Sequence, residues 1–283
     1  MPSNSDPSSR LRRIFLAPSW AILVSLMVAP LGIVLAYSLL TRSPYGSISK
    51  PWTLDNYSRL ADPLYLAIFL RSVWIAAAAT ILCLLLGFPL ALFLSRSGKR
   101  KNLYLTLVIL PFWTSFLIRT YAWMFLLRDT GLINSILLRL GLIHQPLPLL
   151  YNYGAVLLGL VYAYLPFAVL PLYATLERLD PSLLEASADL GARPWQTLLR
   201  VTLPLAAPGF LAASVLIFIP CLGAYLTPDL LGGGKTVLIG NLINNQFTTA
   251  RDWPFGSAAS LALMAVVLVL LLLGLRRRGE ALL

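Results

Sequence analysis

Six stretches of this chain are apolar for long enough to cross a lipid bilayer, and that alone removes most folds from consideration. They run approximately from Ala17 to Leu40, Ala67 to Leu94, Leu103 to Leu127, Ala155 to Thr175, Ala206 to Leu231 and Phe255 to Leu275. A hydrocarbon core about 30 Å thick takes about twenty residues of helix, and a helix satisfies the backbone N–H and C=O groups that lipid cannot. With 58% hydrophobic and only 12% charged residues, the chain is built for that solvent. The reading is an all-α integral membrane protein of six transmembrane helices with no separate soluble domain. Residues 1–16 form a polar, basic N-terminal tail, 17–275 the transmembrane domain and 276–283 a C-terminal tail. The apolar run after the first tail is too long for a signal-peptide core and lacks a small-residue cleavage site, so it reads as a retained helix.

Basic residues give the orientation. With the N-terminus in the cytoplasm, the inner side carries Arg10, Arg12, Arg13, Arg96, Lys99, Arg100, Lys101, Arg178, Arg193, Arg200 and Arg276 to Arg278. The outer side carries the fewer Arg42, Lys50, Arg59, Arg71, Arg128, Arg139, Lys235 and Arg251. Cationic loops are retained on the cytoplasmic side, so both termini are placed there. The net charge of +11 is therefore topological information and no sign of a nucleic-acid partner. Trp52, Tyr57, Tyr65, Tyr151, Tyr153 and Trp253 in the outer segments suit the membrane interface.

Chemistry of the chain's own is hard to find. Cys83 and Cys221 lie apart in apolar segments, so neither a disulfide framework nor a metal site is supported. His144 sits in a predicted outer loop with no acid or nucleophile at a useful spacing. Gly232-Gly233-Gly234-Lys235-Thr236 lacks the first glycine of a phosphate loop and falls on the outer side, where it reads as a surface or re-entrant turn. No catalytic residue, metal or cofactor is expected, and any energy source is another polypeptide or an ion gradient.

The connection from Glu177 to Leu203 is more polar than a simple connector requires. Asp180 is a good N-cap with Pro181 in the first helical position; Leu183, Leu184 and Ala188 can share a face, and Gly191 follows as a left-handed stop. A second helix starts at Pro194 and runs through Trp195, Leu198, Leu199 and Val201 until Leu203-Pro204 bends the chain into the membrane. Periodicity alone fits an amphipathic elbow on the headgroups equally well.

The string Glu185-Ala186-Ser187, three residues, Gly191, nine residues, then Val201-Thr202-Leu203-Pro204 closely resembles the EAA loop of ABC importer permeases, with Ser187 and Val201 as conservative departures. The loop spans residues 177–204. The resemblance implies that Glu185, Ala186, Ser187, Gly191, Leu203 and Pro204 belong to coupling helices that seat in a groove of a cytoplasmic ATPase.

Three further stretches resemble most closely the first permease subunit of spermidine/putrescine-type ABC importers: Trp52 to Tyr57, Leu110 to Trp123, and Asp229 to Asn241 followed by Arg251 to Gly256. That resemblance implies the six-helix permease fold of type I ABC importers in a prokaryotic inner membrane. It implies a pseudo-symmetric pore shared with a second permease subunit, two copies of an ATPase that carry the ATP and magnesium, and an extracytoplasmic solute-binding protein. The related branch also imports opines, amino-acid-like solutes and ferric complexes, so cargo stays open. An ion-coupled secondary transporter is a remote alternative, since it would want intramembrane acids and has no use for the EAA spacing.

A polyamine is an extended polycation, whose path needs carboxylates and aromatic faces. Of the eleven acids, only Asp229 appears near the end of a span, close to Tyr225. It reads either as a cargo contact or as an ordinary outer helix terminus. In the third span Trp113, Tyr121 and Trp123 form with Arg119 a polar-aromatic cluster that either lines the path or packs the helix. Arg119 is expected to pair with a carboxylate or helix-end carbonyls, or to snorkel outward.

Overall fold

A computed structural model describes residues 7–44, 46 and 48–280, with side chains described from Leu16 to Leu272. The outermost parts of the two tails, residues 1–6 and 281–283, lie outside that range; the described parts of both are helical. Helix α1 covers Pro7–Ser38, and the last helix, Trp253–Glu280, is α14. Four helical stretches are singly long and apolar enough to cross a membrane: Leu16–Ser38, Pro63–Ser95, Tyr153–Leu176 and Trp253–Leu272. Two bent helix pairs bring the total to six when each pair counts as one span: Gly98–Trp113 with Phe116–Arg139, bent by 86°, and Pro194–Leu205 with Ala207–Leu222, bent by 63°.

The bends are where the structure departs from the sequence reading. Helix α4 (Lys101–Ile109) passes into a 3-10 turn over Leu110–Trp113, Thr114 and Ser115 are extended, and α5 (Phe116–Leu127) starts in a new direction. Pro111 has no N–H to continue the ladder, and the Thr114 hydroxyl donates to the Pro111 carbonyl at 2.7 Å, closing the turn. The fifth stretch, expected to run from Ala206 to Leu231, is divided too. Helix α11 covers Ala207–Leu222 and ends at Gly223, and a separate α12 occupies Leu226–Gly232.

The chain divides into two compact units. One comprises the residues up to Asp62 together with those from Ile243 onward. In it α1 packs along α14, and a two-stranded ribbon pairs β1 (Thr41–Arg42) with β2 (Ile48–Ser49). Helix α2 (Asp55–Leu60) closes the end of α1. Asn56 Nδ2 donates to the Ser38 and Leu40 carbonyls at 2.9 and 2.8 Å, Thr53 N–H donates to the Leu39 carbonyl at 2.7 Å, and the Tyr57 and Ser38 hydroxyls lie 2.8 Å apart. The Trp52–Tyr57 stretch is thus a clamp on orphan helix-end carbonyls.

The other unit is Pro63–Leu242. Its centre is α3 (Pro63–Ser95), α7 (Tyr153–Leu176) and α11 packed on one another. Small residues permit that closeness: a Cβ at Gly87 would fall 2.7 Å from the Ala168 Cβ, and one at Gly209 2.7 Å from the Thr175 hydroxyl oxygen. Around this centre lie α4, α5, α6 (Leu132–Arg139) and α12, and α13 (Ile239–Phe247) begins here.

Candidate functional site

The polar connection after α7 folds as two short helical pieces. Helix α8 (Pro181–Asp189) is capped by Asp180, whose carboxylate accepts from Ser182 N–H at 2.9 Å and is held below its ordinary pKa by that bond. At its other end Gly191 takes φ +78°, a value that a side chain resists, and its N–H and that of Ala192 return to the Ala188 and Ser187 carbonyls at 2.8 and 3.0 Å. Helix α9 (Pro194–Thr197) follows, then a wider π turn over Leu198–Thr202, then α10 (Leu203–Leu205), and the chain bends at Ala206 into α11.

The inward face differs from the expected one. Leu184 is half-buried and Ser187 is buried, whereas Leu183 and Ala188 are exposed. The Ser187 hydroxyl lies 2.8 Å from that of Thr197 and 2.8 Å from the Leu184 carbonyl, so the departure from the usual small residue joins α8 to α9. Outward stand Glu185, Ala186, Leu183, Trp195, Leu199 and Leu190, the last 88% exposed. These side chains leave an apolar surface uncovered on the loop. Leu203 is half-buried and Pro204 exposed.

At the start of the loop Lys101 Nζ donates to Glu177 Oε1, and Tyr173 also hydrogen-bonds that carboxylate. Lys101, then Tyr173, hold Glu177 below its ordinary pKa of 4.5. The pair ties the root of the loop to the first turn of α4.

The third-span cluster forms with other rings than expected. Arg119 Cζ lies 4.5 Å from the Phe112 ring centre, 5.9 Å from Phe116 and 6.0 Å from Tyr162, and its Nε and Nη1 are buried without a hydrogen-bond partner. It neither pairs with a carboxylate among the described residues nor caps carbonyls. Trp123, one turn on, meets Tyr162 edge-on at 5.5 Å, while Tyr121 lies on the far side of α5. Trp113 is 79% exposed beside the bend. Asp229 is half-buried in the first turn of α12, which packs on α5 and α7, and Tyr225 is exposed just before it.

Asp229 stands on the separate α12, and the acids that directly flank spans are Asp62 before α3, Glu177 after α7 and Asp252 before α14, which corrects the sequence reading. Asp252 caps α14: its carboxylate accepts from Phe255 N–H at 3.2 Å and receives Arg59 Nη1 at 3.0 Å. Only the N-cap position before Trp253 hints at this in the sequence. Within residues 232–236, Gly232 ends α12 and the turn follows over 233–236, with Gly233 at φ +58° beneath the Tyr151 ring. His144 is exposed, and among the described residues no group of metal-ligating side chains assembles.

Residues 83–280 match the family described as binding-protein-dependent transport system inner membrane component, and the chain belongs to that family. It is 45% identical over 251 residues to the spermidine/putrescine transport system permease protein PotB of Escherichia coli, covering 88% of this chain and 91% of that one. To the PotB of Salmonella typhimurium strain LT2 it is 42% identical over 267 residues, covering 94% and 93%. Its fold matches a chain of a bacterial alginate ABC transporter solved in complex with an alginate pentasaccharide-bound periplasmic protein, with TM-score 0.69 at 22% identity over 94% and 93% of the two chains.

Proposed function

We propose that this chain is a permease subunit of an ATP-driven polyamine importer in a prokaryotic inner membrane, forming half of the pore for spermidine and putrescine. The observation that carries the reading is identity above 40% to PotB proteins along nearly the whole chain, the loop of residues 177–204 included. In this reading residues 17–275 are one transmembrane domain of six spans, both bent pairs counted, and the tails 1–16 and 276–283 are cytoplasmic. The partners are a second permease subunit in a pseudo-symmetric heterodimer, two copies of an ATPase and an extracytoplasmic solute-binding protein, with lipid around the assembly. The chain is non-catalytic and binds no cofactor; ATP and magnesium sit on the ATPase.

The loop supplies the coupling. Glu185, Ala186 and the outward leucines meet the ATPase groove, Ser187 and Gly191 set the angle between the helical pieces, and Leu203-Pro204 passes their movement to α11. ATP binding closes the ATPases and shifts the spans between two accessible states. Asp229, Tyr225, Trp113, Tyr121 and Trp123 are the candidates for the cargo path, offering one carboxylate and aromatic faces to a polycation.

The test is uptake of labelled spermidine and putrescine by cells without polyamine importers of their own, expressing this chain with its three partner proteins. Saturable uptake is expected, and Glu185→Arg abolishes it by at least tenfold while the chain still inserts, because a reversed charge opposes docking. No uptake from a fully assembled complex rejects the polyamine cargo; uptake indifferent to Glu185→Arg rejects the coupling role.

A further inference from the structure

Three segments distant in sequence meet in one cavity of the Pro63–Leu242 unit: the end of α5, the approach to α7 and the turn after α12. Its volume is about 500 Å³, and Arg128, Asp129, Pro148, Leu150, Tyr151 and Lys235 line it. The walls are fixed. Buried Asn134 donates from Nδ2 to the Leu147 and Arg128 carbonyls at 2.9 and 3.3 Å and accepts from Leu147 N–H at 2.9 Å, while Tyr151 N–H donates to the Leu231 carbonyl at 2.9 Å. Against the single carboxylate of Asp129 stand two cations. Among the described residues neither Arg128 nor Lys235 forms an ion pair; Arg128 instead rests on the Phe125 ring at 4.7 Å.

We infer that this cavity receives acidic side chains of the solute-binding protein. The inference rests on the importer reading, which puts these segments on the outer face. Two unpaired cations repel a polycationic cargo, so the cavity is no part of the cargo path. A protein that holds a polycation does so with carboxylates, and in the importer reading such a protein meets this face, bringing charge opposite to that of Arg128 and Lys235. Arg128 and Tyr151 beside the apolar Pro148 and Leu150 are the composition of interface anchors, and hydrogen-bonded walls lower the ordering cost of docking. Charge of opposite sign on the two faces then steers encounter and fixes the register.

The experiment uses the complete complex in lipid nanodiscs, with ATPase rate titrated against spermidine-loaded solute-binding protein at low and high salt. The double variant Arg128→Glu with Lys235→Glu raises the half-saturating concentration about tenfold or more, leaves the maximal rate in place and flattens the salt dependence. Arg128→Gln with Lys235→Gln gives a smaller rise in the same direction and serves where the reversal disturbs folding. An unchanged or lowered half-saturating concentration overturns the inference, and so does a change confined to the maximal rate. Identical titrations accompanied by loss of anionic-lipid dependence would reassign the cavity to a lipid headgroup and overturn it equally. A wild-type complex that no solute-binding protein stimulates breaks the importer reading itself; a stimulated wild type with unmoved variants breaks this inference alone.

Discussion

Arg59 and Arg119 lie over phenylalanine rings at nearly the same distance, 4.2 Å from Phe255 and 4.5 Å from Phe112, yet they are held in opposite ways. Arg59 gives Nη1 to Asp252, a carboxylate only 3% exposed that also caps α14. Arg119 has rings on several sides and no acceptor for its buried Nε and Nη1. The first arrangement is closed, since the buried carboxylate has two donors and the pair fixes α2 to the start of α14. The second is open. Cation–π contact contributes about 0.5–2 kcal/mol, against the cost of about 1–3 kcal/mol for buried unpaired N–H groups, so the rings make the cation tolerable without making it a staple.

The largest effect belongs to the closed arrangement. Asp252→Ala removes a helix cap worth about 1 kcal/mol and a hydrogen bond to charge worth about 1.5–3 kcal/mol, leaving Arg59 with its ring alone. A loss of roughly 2–4 kcal/mol follows, read as a lower thermal midpoint of the purified subunit. Asp252→Asn keeps the cap and recovers part of it. A midpoint unmoved by Asp252→Ala would strip Arg59 of its structural part and erase the contrast with Arg119.

Arg119→Met is the matching break on the open side. It exchanges a cation for a flexible apolar chain of similar reach, losing the ring attraction and relieving the unpaired N–H groups, so stability moves by less than about 1 kcal/mol. Uptake by the assembled complex falls several-fold, because an ionisable group kept at a cost within a span is kept for transport. A stability loss of about 3 kcal/mol or more would show Arg119 to be a staple like Arg59.

The same contrast explains what was readable from sequence. The loop is local: Asp180, Pro181, Gly191 and Pro194 are punctuation whose meaning depends on near neighbours, so both helical pieces and the left-handed stop at Gly191 were legible. The clamp at Asn56 and the pairing of Arg59 with Asp252 were not, because the latter two stand 193 residues apart and nothing near either announces the other. The breaks in the third and fifth stretches were hidden for another reason. Hydropathy is high on both sides of Thr114-Ser115, and a window that measures apolarity does not register direction; beyond Gly223 the chain turns more polar at Thr227 and Asp229, with Pro220 and Pro228 interrupting it, but the apolar Leu230-Leu231 carries the stretch across that break. The ring closest to Arg119 is not the one nearest in sequence, because Phe112 reaches it from across the bend; Tyr162 comes from α7.

The smallest effect probes an exposed ion pair that neither burial nor rings protect. Glu177 meets Lys101 at the water surface, and its pKa lies below the ordinary 4.5 because the folded state favours the ionised form. A depressed carboxylate contributes its stability in full above its unfolded pKa and loses it as the pH falls through the lower folded-state value. The wild-type thermal midpoint therefore carries a shallow component that is flat above about pH 4.5–5 and falls below it, and Glu177→Gln deletes that component while shifting the neutral-pH midpoint by only a degree or two. The pair also ties the root of the loop to α4, so Lys101→Glu with Glu177→Lys restores the midpoint where either single reversal lowers it. If the double reversal fares no better than the singles, Lys101 and Glu177 act separately, and the closed arrangement at Arg59 has no counterpart at the loop of residues 177–204.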